Sequence, residues 1–181
     1  FIGSHLMDKL VTMGYNVTAL VHYNNSNSIG WLDSRYNVIH GDIRDQSFMR
    51  NIIKNYTTVI HLAALISIPY SYIAVNEFIN TNILGTYNIL EACKEYNIRC
   101  FIMSTSEVYG TAQYIPIDEK HPKNPQSPYA ASKNSADSLT MTYYKSYNLP
   151  ITIIRPFNTY GPRQSLRAII PQIITQSSEN L

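Results

Sequence analysis

No apolar run in this 181-residue chain approaches the roughly 20 residues that a membrane-spanning helix needs. Charge is scarce too: Asp, Glu, Lys and Arg together make up 14% of the residues, and the formal net charge is only +2. So small an excess gives no footing for nucleic acid or an anionic membrane surface. There are two cysteines, Cys93 and Cys100, without metal-ligand spacing, so buried reduced thiols are expected and no metal site. No secretory signal opens the sequence, so a cytoplasmic location is expected, and the Asn-x-Ser/Thr triplets at Asn16, Asn24 and Asn55 carry no weight. Repeats and low-complexity segments are missing as well. The 45% hydrophobic content is that of a globular protein, and the length suits one domain, or one and part of another.

What is present centres on two stretches. Phe101-Ile-Met103 is a short apolar run that stops at the hydroxyls of Ser104, Thr105 and Ser106 and the carboxylate of Glu107. A buried strand reads this way when its carboxyl end opens into a site. Tyr129 and Lys133 follow one helical turn apart, so both leave the same helix face. A tyrosine hydroxyl titrates near about 10, and an adjacent ammonium is expected to lower that value until Tyr129 can act as a base.

The rest of the chain alternates strand and helix patterns. Helices are expected over Ser4–Met13 (closed by Gly14), Gln46–Asn55, Val75–Tyr96 and from Tyr129 to about Tyr147. In the long third helix, Phe78, Ile79, Ile83, Tyr87, Leu90 and Ala92 are expected to form the apolar face. Strands are expected at Asn16–Val21, Asn37–Ile43, Thr58–Ala64 and Pro150–Arg155. Such alternation calls for an α/β protein with a parallel sheet and right-handed crossovers. Asp42 reads either as a ligand contact or as the cap of the Gln46–Asn55 helix, and His61 reads as a structural histidine.

Six motifs occur in order: Phe1-Ile-Gly-Ser-His-Leu6, Gly41-Asp-Ile43, His61-Leu-Ala-Ala64, Ser104-Thr-Ser-Glu-Val-Tyr-Gly110, Tyr129-x-x-x-Lys133 and Arg155-Pro-Phe-Asn-x-Tyr-Gly-Pro162. In this succession the chain resembles the extended short-chain dehydrogenase/reductase family, within it the NAD-dependent epimerases and dehydratases. The nucleotide-sugar 4,6-dehydratases of the legionaminic-acid type, which act on GDP-N-acetylglucosamine, are the nearest match. The resemblance implies a doubly wound, Rossmann-type parallel sheet. It places the cofactor-binding domain at 1–160, N-terminally truncated, and the start of a nucleotide-sugar-binding domain at 161–181. Only the last glycine of the family's Gly-x-x-Gly-x-x-Gly turn, Gly3, is present, so the chain reads as an internal fragment without the first, central strand.

The same resemblance implies NAD as cofactor, held by Phe1, Ile2, Gly3, Asp42, Ile43, Leu62, Ala63, Ala64, Tyr129 and Lys133. No carboxylate lies between Asn16 and Trp31 to hold the adenosine ribose, so NADP stays open. Tyr129, Lys133 and Thr105 would oxidise a sugar hydroxyl at C4. Glu107 matches the base that removes the C5 proton in 4,6-dehydratases, while Ser106 stands where many of these enzymes carry an aspartic acid. Ser106, Asn158 and Arg163 would contact the nucleotide sugar, with Arg167 a further candidate. Asn82, in Asn82-Ile-Leu-Gly-Thr86, matches an asparagine that supports the site, and Gly85 one that permits close packing. A homodimer through two helices per subunit is implied. UDP-glucuronate decarboxylase, 4-epimerase and an idle cofactor-binding scaffold remain the alternatives.

Overall fold

The structure is a computed structural model that describes residues 1–179. Asn180 and Leu181, the end of the expected sugar-binding segment, lie outside the described residues. The chain gathers into two compact units, one of Phe1–Gly41 with the segment from Asn158 onward, the other of Asp42–Phe157.

The first unit begins with helix α1, Ile2–Thr12, two residues earlier than the sequence suggests. Gly3 therefore lies inside the helix and not in a turn before it. Gly14 ends the helix at φ +82°, and the N–H groups of Gly14 and Tyr15 reach back to the Val11 and Leu10 carbonyls at 2.9 and 3.1 Å. Strands β1 (Thr18–His22) and β2 (Asn37–Gly41) pair in parallel, from Thr18 against Asn37 to His22 against Gly41.

The second unit opens with α2, Gln46–Ile53. Its cap is Asp45, which accepts from the Phe48 N–H at 2.9 Å, so the capping role considered for Asp42 belongs to its neighbour. Strand β3 (Thr58–His61) leads through the short helices α3 (Ile68–Ser71) and α4 (Val75–Phe78) into a π-helical stretch, Ile79–Leu84. Helix α5 (Gly85–Tyr96) follows and closes on Asn97 in the left-handed region. Strand β4 is Arg99–Met103, helix α6 is Pro128–Tyr147, and strand β5 is Ile151–Ile154. The sheet order is β3-β4-β5, all parallel. Beyond it, α7 (Ile169–Glu179) belongs to the first unit.

The α/β class and the parallel, Rossmann-type pairing are as expected. Among the described residues the strands pair as β1-β2 in the first unit and β3-β4-β5 in the second. The core of the second unit lies where α5 and α6 meet β4. Phe78, Leu90, Ala92, Cys93, Cys100 and Ile102 are fully buried there. Both cysteines are free, and the hydrogen bond with Cys93, reinforced by burial, holds the Cys100 thiol well above its usual range. No helix of the described residues is long and apolar enough to cross a membrane.

Candidate active site

At the end of β4 the backbone stays extended through Thr105, tied to the end of β5 and the residues after it by Ser104 N–H to the Ile154 carbonyl (2.7 Å) and Ser106 N–H to the Pro156 carbonyl (3.1 Å). The Thr105 hydroxyl then accepts from the Glu107 N–H at 3.2 Å and caps one tight 3-10 turn, Ser106–Val108. Glu107 is half-buried on that turn, while Val108 and Tyr109 are buried. The turn ends at Gly110, which has φ +64°, and a Cβ there would meet the Asn124 carbonyl oxygen at 2.1 Å. Only glycine suits both the backbone angle and the close approach.

Helix α6 is aimed by its start. Ser127 accepts from the Ala130 N–H at 3.0 Å, with Pro128 in the first turn. Tyr129 and Lys133 are both buried, at 7% and 4% exposure. The Lys133 ammonium donates to the Met103 carbonyl at 2.6 Å, and the Tyr129 hydroxyl shares a hydrogen bond with Thr105 within the field of Glu107. Thr105, Glu107, Tyr129 and Lys133 are therefore brought together.

The electrostatics correct the sequence reading. Burial pushes the Tyr129 hydroxyl up from its ordinary value, the Thr105 hydrogen bond pulls it part of the way back, and the Glu107 charge adds to the rise. Lys133 is not the group that governs it. Burial instead brings the lysine itself down to about 8, with Asp137 acting in the opposite sense. The reason is that an ammonium directed at a carbonyl deep in the fold is itself short of solvation.

This has a consequence for stability. A lysine at about 8 when folded sheds its proton before the same lysine in the unfolded chain, near 10.5. Between those values the unfolded chain binds more protons, so stability rises with pH. Tyr129, shifted upward, opposes this only above its ordinary value near 10. Unfolding free energy of the intact protein is expected to increase by about 2 kcal/mol from pH 8 to 10 relative to Lys133→Met. Denaturant titrations at the two pH values check this; parallel curves for the two proteins would contradict it.

The π-helical stretch delivers Asn82. Its side-chain oxygen accepts from the Leu65 N–H at 2.9 Å, and its amide donates to the Leu65 carbonyl at 3.0 Å and to the Ser132 hydroxyl at 2.9 Å. Ser132 in turn donates to the Tyr129 carbonyl at 2.7 Å. Asn82 thus joins the segment after β3 to the first turn of α6. Asn82→Ala leaves the half-buried Leu65 N–H and carbonyl without their partner and takes a donor from the Ser132 hydroxyl, which keeps its bond to Tyr129, and is expected to lower stability by about 2 kcal/mol; an unchanged denaturation midpoint would speak against this clamp. Asn82 and Thr86 occupy inward positions, whereas Ile79 is 42% exposed, contrary to the apolar face read from the sequence. Thr86 donates to the Asn82 carbonyl (2.6 Å), so its oxygen accepts from His61 Nε2 at 3.0 Å. Burial, with Lys133 nearby, brings His61 down to about 3 and keeps it neutral, which suits a structural part.

Of the other expected contacts in this unit, Leu62 and Ala64 are half-buried and Ala63 exposed just beyond β3. Asp42 is engaged by the Arg44 guanidinium at 2.7 Å, and Arg44 reaches Glu77 at 3.3 Å. The Ile43 side chain packs against Gly85, where a Cβ would come within 2.5 Å of it. Ser106 is half-buried on the tight turn. In the first unit, Phe1, Ile2 and Gly3 form the start of α1, and Asn158 is exposed. Arg163, at φ +68°, pairs with Asp8 at 2.7 Å, so its guanidinium already has an anionic partner. Arg167 is exposed.

Sequence reasoning missed three participants. Ser104 Oγ is buried with no hydrogen-bond partner among the described residues. Ser132 carries the link from Asn82 to α6, and Asp137 forms a buried pair with Arg155 at 2.8 Å. Ser104 and Ser132 lay inside quoted motifs, but only the fold shows what they face.

A family model described as GDP-mannose 4,6 dehydratase matches residues 1–181. A dTDP-D-glucose 4,6-dehydratase of Dictyostelium discoideum is 37% identical over 96% of this chain and 45% of its own length. Among solved structures, a double mutant of the dTDP-glucose 4,6-dehydratase DesIV from Streptomyces venezuelae, with NAD bound, superposes with a TM-score of 0.90 at 30% identity, covering 99% of this chain and 60% of that one. A UDP-N-acetylglucosamine 4-epimerase from Methanobrevibacter ruminantium gives a TM-score of 0.91 at 32% identity, again over 99% and 60%. The chain thus spans less than two thirds of the length of these proteins. Matched by the family model from its first residue to its last, it belongs to the GDP-mannose 4,6 dehydratase family.

Proposed function

We propose that the intact protein is an NAD-dependent nucleotide-sugar 4,6-dehydratase, a lyase that removes water from a hexose nucleotide. The observation that carries this reading is the half-buried Glu107 carboxylate, fixed on a turn capped by Thr105 and close enough to Tyr129 to raise its pKa. A 4-epimerase has no use for a carboxylate there, and an idle scaffold none for the four residues together.

Two features suit a nicotinamide ribose beside Tyr129. The Lys133 ammonium uses one donor on Met103 and has others to give, and Ser104 Oγ is a buried hydroxyl without a partner among the described residues. Lys133 and Tyr129 would hold NAD here, and Phe1, Ile2, Gly3, Asp42, Ile43, Leu62, Ala63 and Ala64 are the further contacts that the resemblance implies. When bound, NAD supplies the redox chemistry, accepting hydride from C4 and returning it at C6. Thr105 orients the C4 hydroxyl, and its hydrogen bond is the interaction that favours the Tyr129 phenolate. Tyr129, once ionised, accepts the C4 proton. The C4 ketone then acidifies C5–H, and Glu107 takes that proton. Ser106 is a poor acid, so Glu107 also hands the proton to the C6 hydroxyl, which leaves as water. A proton from solvent, restored at C5 as Tyr129 releases the one it took from the C4 hydroxyl, completes a redox-neutral reaction.

Ser106, Asn158 and Arg163 are proposed to meet the sugar nucleotide, and Arg163 would first have to exchange its pairing with Asp8. We take residues 1–160 as the cofactor domain and 161–181 as the start of the sugar-binding domain. A cytoplasmic homodimer is also proposed; exposed Val75, Ile79, Leu84, Met141, Tyr144 and Tyr147 along the two long helices support it.

Mass spectrometry of products from a panel of UDP-, GDP- and dTDP-sugars tests the activity. Loss of water from one hexose nucleotide is expected and would name the substrate. Loss of carbon dioxide from a uronate would move the assignment to decarboxylase. Unchanged mass with altered stereochemistry would make it a 4-epimerase, the activity named for the Methanobrevibacter neighbour.

A further inference from the structure

Asp137 is a buried ionisable group that the scheme above leaves unused. It lies on α6 one turn beyond Lys133 and is completely buried. One carboxylate oxygen takes the Arg155 Nε at 2.8 Å and lies 3.6 Å from the Lys123 ammonium. The other, Oδ1, is buried without a hydrogen-bond partner among the described residues. Arg155 continues the link to the hydroxyl of Tyr109 at 3.3 Å, two residues beyond Glu107, with its guanidinium 5.6 Å from the centre of that ring. Three segments thus converge on one carboxylate: the loop bearing Lys123, the end of β5, and helix α6 with Lys133.

The charges are unequal. Lys123, Lys133 and Arg155 bring three cations, and Asp137 is the acidic side chain paired with two of them. Asp137 acts on Lys133 from the same helix and His61 lies near it on β3, while Glu107 on the tight turn acts on Tyr129, one turn before the lysine. His61 is neutral, and the Glu107 charge bears on Tyr129. Asp137 is the one charged group that counters the burial of Lys133.

We propose that Asp137 is a positioning residue that keeps Lys133 charged while, through Arg155 and Tyr109, it braces the Glu107-bearing turn against α6. Its importance for catalysis rests on the dehydratase reading; its action on Lys133 does not. Arg155 and Lys123 hold the carboxylate in place, and its unpartnered oxygen keeps negative charge in the interior where Lys133 needs it. Lys133 can then keep its proton near neutral pH and offer N–H donors beyond the one fixed on Met103.

The test is the titration of Lys133 in the intact protein, read by NMR of isotopically labelled lysine side chains and assigned with Lys133→Met. Asp137→Asn is expected to lower the midpoint from about 8 towards about 7 and raise the neutral fraction at pH 7 about fivefold. Asp137→Glu is expected to restore most of the charged form. A folded Asp137→Asn protein with an unchanged Lys133 midpoint would overturn the proposal, since a merely structural residue alters stability and not this titration. If the single variant does not fold, Asp137→Asn/Arg155→Gln/Lys123→Gln removes the carboxylate together with both cations paired to it and leaves no ion orphaned. The same fall is expected there, and an unchanged midpoint is again fatal. The titration needs no turnover, so it stands or falls separately from the dehydratase reading, which product masses decide.

Discussion

Tyr129→Phe is expected to lower turnover of the intact protein about 10³- to 10⁴-fold, towards the upper end of what a positioned proton acceptor contributes. The ring would stay where it is, packed edge-on against Phe78 at 6.3 Å between centroids, so the loss should not come from unfolding. What disappears is the hydroxyl and its hydrogen bond with Thr105. Cofactor affinity should change little, because Lys133 keeps its bond to Met103 without that hydroxyl. Steady-state rates together with NAD binding by calorimetry check the split. A variant that keeps a tenth of the parent rate would remove Tyr129 from the chemistry, and one that no longer binds cofactor would recast it as a binding residue.

Glu107→Gln is expected to cost about 10³-fold in product formation, with substrate binding nearly unchanged. Glutamine keeps the shape of the side chain and cannot accept the C5 proton. The turn should survive, because the Thr105 hydroxyl is bonded to the Glu107 backbone N–H and not to its carboxylate. A second effect distinguishes electrostatics from local damage. The Glu107 charge raises the Tyr129 pKa, so the neutral variant should ionise Tyr129 at lower pH. Ultraviolet titration of the tyrosine, by difference from Tyr129→Phe, reads this. A drop in activity with the Tyr129 titration unmoved would mean that Glu107 does not face the phenol.

Much of this site was legible in the order of residues. A strand ending in Ser-Thr-Ser-Glu and a tyrosine and lysine one turn apart converge because parallel strands present their carboxyl ends together and α6 starts beside them. Ser127 and Pro128 fix that start locally, so the helix was readable. Depth was not. The direction of the Tyr129 shift depends on how far burial outweighs a neighbouring charge, and no spacing encodes that. Asn82 and Thr86 face inward because Leu65, Ser132, Asn82's own carbonyl and His61 satisfy them, partners contributed by distant segments that periodicity of apolar residues cannot see. Arg163 meets Asp8, 155 positions away, and Asp137 meets Arg155 across the end of β5. Long-range pairs of this kind are set by topology.

The most direct test follows one atom. The intact protein is incubated with the accepted hexose nucleotide carrying deuterium at C4, and the product is mapped by NMR and mass spectrometry. The account predicts a 4-keto-6-deoxy sugar that has lost water and carries the deuterium at C6. Deuterium retained at C4, in a sugar of unchanged mass and inverted configuration, would contradict it and leave Glu107 without a part in the reaction.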